Sequence, residues 1–287
     1  MTGPRETGPV ETGPVATGPM ETGPLETGPV KTAHGRRSAT PTGEGGDRGR
    51  SSGLSVTGVA GELMITLGAL LLAFVVWQLW WTDVESNRTQ AAVVSELDWT
   101  PVPAPAATPV APAAPELRRD ASPAMIEPDH GVTFSTLYVP RWGPEYERPV
   151  SQGVDRAGVL DPLGIGHYPG TAMPGDVGNF AISGHRVTYG KPFNRVEELQ
   201  VGDPIVVRSV DSWFVYRVTS TEVVRPSDVE VIAPVPGDPA AVPTERLITL
   251  TTCHPMYSAR ERFIVHGVLD YWLAGQDNFP AEITGGA

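Results

Sequence analysis

Hydrophobic residues form one long uninterrupted run in the first third of the chain. From Leu63 to Trp81 only Thr66 and Gln78 are polar, and three tryptophans gather at the C-terminal end of the run. As a helix, these nineteen residues extend about 28 Å, which matches the apolar core of a bilayer. No small-residue cleavage site follows Trp81, so a cleavable signal peptide fits less well. The pattern predicts a transmembrane helix over residues 61–81.

Beyond about residue 131 the hydrophobic pattern changes to short runs rich in valine, isoleucine, threonine and aromatic residues, separated by glycine, proline and aspartate. Such runs are typical of strands. They lie at residues 134–139, 179–183, 204–208, 213–223, 247–252 and 262–269. Helical periodicity is limited to residues 192–199. The sequence therefore predicts a mostly β domain, either a closed barrel or a sandwich.

Composition divides the rest of the chain into three further segments. Residues 1–50 repeat Thr-Gly-Pro every five positions at their start, which predicts a disordered tail. Residues 82–130 include a proline- and alanine-rich stretch that favours an extended stalk. Residues 131–278 remain as one globular domain, long enough to bury a core without disulfides.

Charge sets the orientation and excludes one class of partner. The net charge is -12, and residues 1–50 carry six basic and six acidic side chains, so the acidity belongs to the rest of the chain. Basic residues precede the predicted transmembrane helix and mostly acidic residues follow it. This asymmetry predicts a cytoplasmic N-terminus and a domain outside the cell. An acidic domain without a basic patch is a poor nucleic-acid binder.

The single cysteine, Cys253, is the first candidate for chemistry. It ends the predicted strand Thr249-Leu250-Thr251-Thr252-Cys253, where a strand holds the sulfur rigidly at a rim. An exported chain with one unpaired thiol risks oxidation, so the thiol is expected to be used, with nucleophilic attack as its natural role. The alternative is a small buried hydrophobic residue.

A thiol nucleophile needs a proton partner and a group that stabilises an oxyanion. Of six histidines, His34 lies in the tail and His130 in the stalk, whereas His254 and His266 adjoin the strands themselves. His167 and His185 remain, and spacing alone leaves both open. For the oxyanion, Arg260 and Arg262 are both candidates, because residues two apart on a strand share a face.

Three motifs in order resemble the sortase family of cysteine transpeptidases. They are Gly184-His185-Arg186, then Thr-Leu-Thr-Thr-Cys253, then Arg262-Phe-Ile-Val-His-Gly267. The stretch at 166–175, Gly-His-Tyr-Pro-Gly-Thr-Ala-Met-Pro-Gly, and the stretch Val-Gly-Asn-Phe at 177–180 are similar to class E sortases of high-GC Gram-positive bacteria. The membrane segment, from Gly61 into Trp80-Trp81, is similar as well. The resemblance covers residues 60–82 and 131–270.

The resemblance implies a closed eight-stranded β-barrel with short helices, preceded by one transmembrane helix. It implies that Cys253 attacks the threonine-glycine bond of a Leu-Ala-x-Thr-Gly or Leu-Pro-x-Thr-Gly sorting signal and forms a thioacyl intermediate. His185 would protonate the leaving amine, and Arg262, which directly precedes Phe-Ile-Val, would hold the oxyanion or the substrate backbone. A peptidoglycan precursor amine would then release the secreted protein, now attached to the cell wall.

Tyr168, Thr251 and Thr252 are predicted on the same resemblance to contact the substrate. No cofactor is expected, because the mechanism needs none. No metal is expected either, because spaced cysteine or histidine pairs and a carboxylate cage are lacking.

Three other functions remain open. A pilus-polymerising sortase usually carries a lid with Asp-Pro-aromatic before the barrel, whereas Asp161-Pro162-Leu163 lies inside the domain and lacks the aromatic residue. A hydrolytic thiol protease would transfer the acyl group to water instead of an amine. A tethered binding protein would keep its function without the thiol of Cys253.

Overall fold

The computed structural model describes residues 55–103 and 116–285 of the 287-residue chain. The predicted tail with its Thr-Gly-Pro repeats and most of the proline-rich stretch of the stalk lie outside the described residues.

The chain's longest element is helix α1, Val56–Glu96. Its apolar part is long enough to cross a membrane, and the large hydrophobic side chains described there are exposed. This agrees with the transmembrane helix predicted over 61–81. The helix does not end at residue 81, however, but continues for fifteen residues to Glu96, because the sequence after Trp81 contains no proline or glycine to stop it.

Eight strands form a closed barrel, which confirms the expected fold class. In the barrel the strands neighbour one another in the order β1-β2-β3-β4-β7-β8-β6-β5. Their bounds are β1 Thr133–Tyr138, β2 Glu147–Gln152, β3 Ile165–His167, β4 Gly178–Gly184, β5 Pro204–Arg208, β6 Ser212–Val224, β7 Arg246–His254 and β8 Glu261–Ala274. Strands β2 and β3 pair in parallel, as do β4 and β7, and the other pairs are antiparallel.

Short helical turns fill the connections between the strands. A π-helical turn, Arg156–Leu160, continues directly into the α2 turn, Asp161–Leu163. The helical piece predicted over 192–199 is present as a 3₁₀ turn, Val196–Glu198. A last turn, α3, Ala281–Thr284, follows the barrel.

The barrel interior is filled by apolar side chains that alternate along the strands. Phe180 and Ile182 of β4, Ile248 and Leu250 of β7 and Val265 of β8 all belong to this core. The alternation fixes the faces of the strands, because neighbouring residues of a strand point to opposite sides. Residues of odd number at the end of β7 therefore face away from the core.

Parts of the predicted 82–130 stalk contact the barrel. The guanidinium of Arg208 lies over the rings of both Trp99 and Trp213, at 5.1 and 4.6 Å from their centroids, and it donates to the Thr100 carbonyl. Further along, Arg118 forms a backbone bridge to β8. The described residues on either side of the proline-rich stretch thus contact the domain, and the extended spacer stays a prediction.

Candidate active site

Strand register brings the three predicted catalytic residues into one row. Cys253 of β7 lies directly opposite Arg262 of β8 in the antiparallel ladder. On the other side, β4 pairs in parallel with β7 up to Ser183 opposite Thr251, so continuing that register by two residues brings His185 level with Cys253. Cross-strand partners point to the same face of a sheet. The row His185, Cys253 and Arg262 thus faces away from the barrel core.

A cavity of about 620 Å³ lies over this row. Its walls are formed by the ends of β4, β7 and β8, the π-helical turn and the loop between β7 and β8. The lining residues are Arg156, Leu160, Tyr168, Ser183, Gly184, His185, Arg186, Val187, Thr188, Thr252, Cys253, Tyr257, Ser258, Ala259 and Arg262. Three arginines are among them. Arg186 and Arg156 lie beside the carboxylates of Glu197 and Asp161, which leaves Arg262 as the lining cation without a carboxylate partner among the described residues.

Arg262 lines the cavity with part of its guanidinium free of partners among the described residues. Its Nη1 donates to the backbone carbonyls of Ala259 and Glu261, at 3.1 and 2.9 Å, while Nε and Nη2 make no hydrogen bond to any residue that the structure describes. Arg260 is different, since it precedes β8, is exposed and does not line the cavity. The two arginines do not share a strand face as the sequence suggested, and Arg262 alone joins the row.

His185 contacts a partner that the sequence did not reveal. Its Nε2 lies 2.6 Å from Oδ1 of Asp161, and its ring contacts the ring of Tyr189 with 5.2 Å between centroids. Within the described part of the chain, no hydrogen bond joins His185 to the sulfur of Cys253. The imidazole is therefore held from the side of Asp161 and Tyr189.

The backbone of Cys253 is held by the residue that follows His185. Arg186 is 2% exposed, and its Nη1 donates to the Cys253 carbonyl at 3.3 Å. Its Nη2 forms an ion pair with Glu197 at 2.7 Å. Nδ1 of His254 lies within hydrogen-bonding distance of both side chains. The hydrogen bond from Arg186 holds the pKa of the Glu197 carboxyl below its ordinary value, so the ion pair stays charged.

The three residues predicted to contact substrate occupy different environments. Tyr168 lines the cavity, and its hydroxyl lies 3.0 Å from the hydroxyl of Thr251. Thr252 is 3% exposed and donates from Oγ1 to the Gly184 carbonyl at 2.7 Å. The hydroxyl of Thr252 thus joins the ends of β7 and β4, directly beside Cys253 and His185. Substrate contact by these residues stays a prediction.

The other histidines in the described residues have structural partners. His167, which spacing left as an alternative to His185, is fully buried and bonds Gln152 at 2.7 Å and Thr171 at 2.8 Å. Burial lowers the pKa of its imidazole, so it is neutral. His266 bonds the buried Thr249 on one side and Glu222 on the other. Neither ring lies in the cavity.

Sequence reasoning missed the residues that support the row, chiefly Asp161, Tyr189, Arg186 and Glu197. Arg186 had a local signal, because it belongs to the Gly-His-Arg motif. Asp161 and Glu197 had none, since each is separated in the chain from the residue it contacts and reaches it only through the fold. Tyr189 lies four residues after His185, but in a loop whose shape the sequence does not show. No group of three or more histidines, cysteines or carboxylates with metal-binding geometry occurs among residues 55–103 and 116–285.

Comparisons with known proteins show the family to which the chain belongs. A family model described as the sortase domain matches residues 137–270. Sortase SrtE1 of Streptomyces coelicolor is 37% identical over 230 residues, which cover 77% of this chain and 59% of that protein. Sortase SrtE2 of the same organism is 31% identical over 254 residues, covering 83% of this chain and 91% of that protein.

Among solved structures, the SrtA sortase from Actinomyces oris is 43% identical with a TM-score of 0.55, covering 58% of this chain and 96% of that one. The chain thus spans nearly all of SrtE2 but less than two thirds of SrtE1.

Proposed function

The chain belongs to the sortase family of cysteine transpeptidases, with relatives of class E, and from that premise we propose a specific activity for it. The protein cleaves a Leu-Ala-x-Thr-Gly or Leu-Pro-x-Thr-Gly sorting signal between threonine and glycine. It then attaches the cleaved protein to an amine of a peptidoglycan precursor. The observation that carries the proposal is the row His185, Cys253 and Arg262 under one cavity.

In the first step Cys253 acts as the nucleophile. With the thiol proton passed to His185, the sulfur forms a bond to the threonine carbonyl carbon, and the bond from that carbon to the glycine nitrogen breaks. His185 gives a proton to the leaving glycine amine. Arg262 stabilises the charge on the carbonyl oxygen through its two nitrogens that have no partner among the described residues.

In the second step an amine replaces the sulfur. The amine nitrogen attacks the thioester carbon, the carbon-sulfur bond breaks, and the amine proton passes to His185. The enzyme returns to its starting state, because one proton has left His185 and one has come back. Arg262 suits both steps, since negative charge develops on the sulfur or the substrate oxygen in each.

The place of action follows from α1. We propose that the apolar part of α1 anchors the protein in the plasma membrane with the N-terminus in the cytoplasm and the barrel outside the cell. The apolar span and the basic residues before it support this topology. Substrates would then be exported proteins and cell-wall precursors.

The experiment uses the full chain in detergent micelles with a Leu-Ala-x-Thr-Gly peptide, hydroxylamine as a small amine acceptor, and mass spectrometry of protein and peptide. The expected products are a thioacyl adduct on Cys253 and a hydroxamate of the threonine carboxyl group. Both disappear in Cys253→Ala. A second reaction with a Leu-Pro-x-Thr-Gly peptide ranks the two signals.

The competing functions give different products. Hydroxylamine attacks any thioester, so a further reaction in which triglycine replaces it separates transfer from hydrolysis. A transpeptidase joins the peptide to triglycine, a thiol protease yields the free acid, and a binding protein yields neither adduct nor cleavage. Either result contradicts the proposal. A product that persists in Cys253→Ala contradicts the role of Cys253 in particular.

A further inference from the structure

The imidazole of His185 is held by a carboxylate that is itself shielded from water. The side chains of His185 and Asp161 are only 15% and 22% exposed, and the Nε2 to Oδ1 distance is 2.6 Å. A hydrogen bond to a charged acceptor in such surroundings orients a ring more firmly than a surface contact does. Arg156 lies 3.7 Å from the same oxygen and adds a cation at the outer side of the pair.

The hydrogen bond also determines which ring nitrogen is free. A carboxylate only accepts, so Nε2 carries a proton in the neutral ring as well as in the charged one. Nδ1 makes no hydrogen bond to any residue in the described part of the chain. Nδ1 is therefore the nitrogen that remains to exchange a proton with Cys253 or with the leaving amine.

Helix α1 contacts the elements that hold His185 through four polar residues on one helix face. Positions i, i+3, i+4 and i+7 share a face. This polar stripe consists of Asp83, Ser86, Asn87 and Gln90. Ser86 donates to the Asp161 carbonyl at 3.3 Å, and Gln90 donates to the Tyr189 carbonyl at 3.1 Å. The stripe thus touches both residues that contact the ring of His185.

Two glycines make room for the stripe. Gly164 and Gly190 have φ of +92° and +76°, and a Cβ atom on either would come within 2.7 or 2.8 Å of the Gln90 amide. Both the backbone conformation and the space therefore require glycine. Gln90 is 1% exposed between them. Asp83 adds an ion pair with Lys191 at 2.9 Å.

We propose that Asp161 is a positioning residue for His185, and that the polar stripe of α1 holds Asp161 and Tyr189 in place. The turns of α1 that follow the apolar span are then part of the catalytic unit. The inference rests on the proposed transpeptidase function for its kinetic effects but not for its effect on the ring of His185.

The direct test is Asp161→Asn in the full chain in detergent micelles, with Asp155→Asn as the matched control. Asp155 lies at the start of the same helical turn and pairs with His130, outside the cavity. The asparagine amide can donate to Nε2 and move the ring proton to Nδ1. We expect kcat for ligation to fall at least about tenfold, as loss of an orienting carboxylate does in other histidine sites, with the KM for the peptide unchanged. The control keeps the parent kcat.

A second readout needs no substrate. In the histidine-labelled protein, ¹⁵N chemical shifts show which nitrogen of His185 carries the proton. Parent and Asp155→Asn are expected to show Nε2–H, and Asp161→Asn a shift towards Nδ1–H. Asp161→Glu keeps the carboxylate and is expected to recover Nε2–H and part of kcat, which a merely structural role would not explain.

The helix is tested by Gln90→Ala, with the exposed Arg88→Ala on another face of α1 as control. We expect a lower kcat in the first and no change in the second. If Gln90→Ala keeps the parent kcat, the role of the stripe is overturned. If Asp161→Asn keeps both the parent kcat and Nε2–H, the whole proposal is overturned. If the parent itself forms no adduct, the proposed function fails, and the ¹⁵N shifts still decide whether Asp161 positions the ring.

Discussion

Replacement of Thr252 by valine distinguishes a supporting role from a substrate-binding role. Valine keeps the shape of the side chain but removes the hydroxyl that donates to the Gly184 carbonyl at 2.7 Å. The site is buried, with Thr252 only 3% exposed, so water cannot replace the lost donor. Loss of such a hydrogen bond costs about 1.5 kcal/mol.

For a domain of this size, about 1.5 kcal/mol corresponds to a fall in Tm of about 3–6 °C. Because Gly184 directly precedes His185, we also expect a lower kcat for ligation, by up to about tenfold, with the KM for the peptide unchanged. Thermal unfolding followed by tryptophan fluorescence and steady-state ligation kinetics on the full chain measure these effects.

Thr251→Val is the matched control for this substitution. It makes the same change one residue earlier, on the opposite face of β7, where the hydroxyl partner is the half-buried Tyr168. Water can solvate that partner after the substitution, so the Tm should change less. The reasoning is refuted if Thr252→Val melts within about 1 °C of the parent while its KM rises several-fold, since the hydroxyl would then serve the substrate.

Three further substitutions test other parts of the structure. Arg262→Gln should lower kcat at least about 100-fold because an oxyanion donor is lost, whereas Arg260→Gln should leave ligation kinetics unchanged; equal losses in both would contradict the assignment. Burial lowers the pKa of His167, so below about pH 6.5 the unfolded chain binds a proton that the folded chain does not. The free energy of unfolding therefore decreases as the pH decreases. His167→Gln should therefore lose less stability than the parent between pH 7.5 and 5.5 in urea titrations, and an unchanged slope would oppose this. Gly190→Ala combines left-handed strain of about 1–2 kcal/mol with a clash against the buried glutamine of α1, so it should lower the Tm more than Gly202→Ala, which carries strain in open space.

The strands that the sequence predicted are those with runs of valine, isoleucine, threonine and aromatic residues. The long β6 and β8 are rich in such residues, and the runs at 134–139, 179–183, 204–208 and 247–252 coincide closely with strands. Strands β2 and β3 were not predicted. Strand β2 begins with two charged residues and contains Pro149, which cannot donate to a ladder. Strand β3 has only three residues, too few for a period to be visible.

Close packing explains why β3 contains a glycine that weakens its strand signal. A Cβ atom on Gly166 would lie 2.1 Å from the Gly153 carbonyl oxygen, so only glycine allows the two backbones to approach. Such a contact joins residues from different strands and loops. It leaves no trace in local periodicity, and the same is true of the ion pair between Arg186 and Glu197.

The residues of the candidate site likewise fall into those that the sequence predicted and those that only the fold brings together. Cys253 was predicted from its position at a strand end, and Arg262 was chosen over Arg260 only by the family resemblance; the register of β7 and β8 then pairs the two residues directly. Asp161 was noted only as part of a motif that lacked an aromatic residue. Its role depends on a turn after β2 that approaches the end of β4, and a single sequence shows neither the turn nor the approach.

The residues of the catalytic row are held in unequal ways, and this has a consequence for the reaction. Cys253 and Arg262 are direct partners in the β7–β8 ladder, and Arg186 adds a donor to the Cys253 carbonyl. His185 lies one residue beyond β4, so no ladder fixes it, and its ring depends on Asp161 and on elements braced by α1. A disturbance of α1 should therefore displace the proton partner while leaving the nucleophile and the oxyanion donor in place. Steps that need proton transfer to or from the amine should slow more than the encounter of the peptide with the cavity.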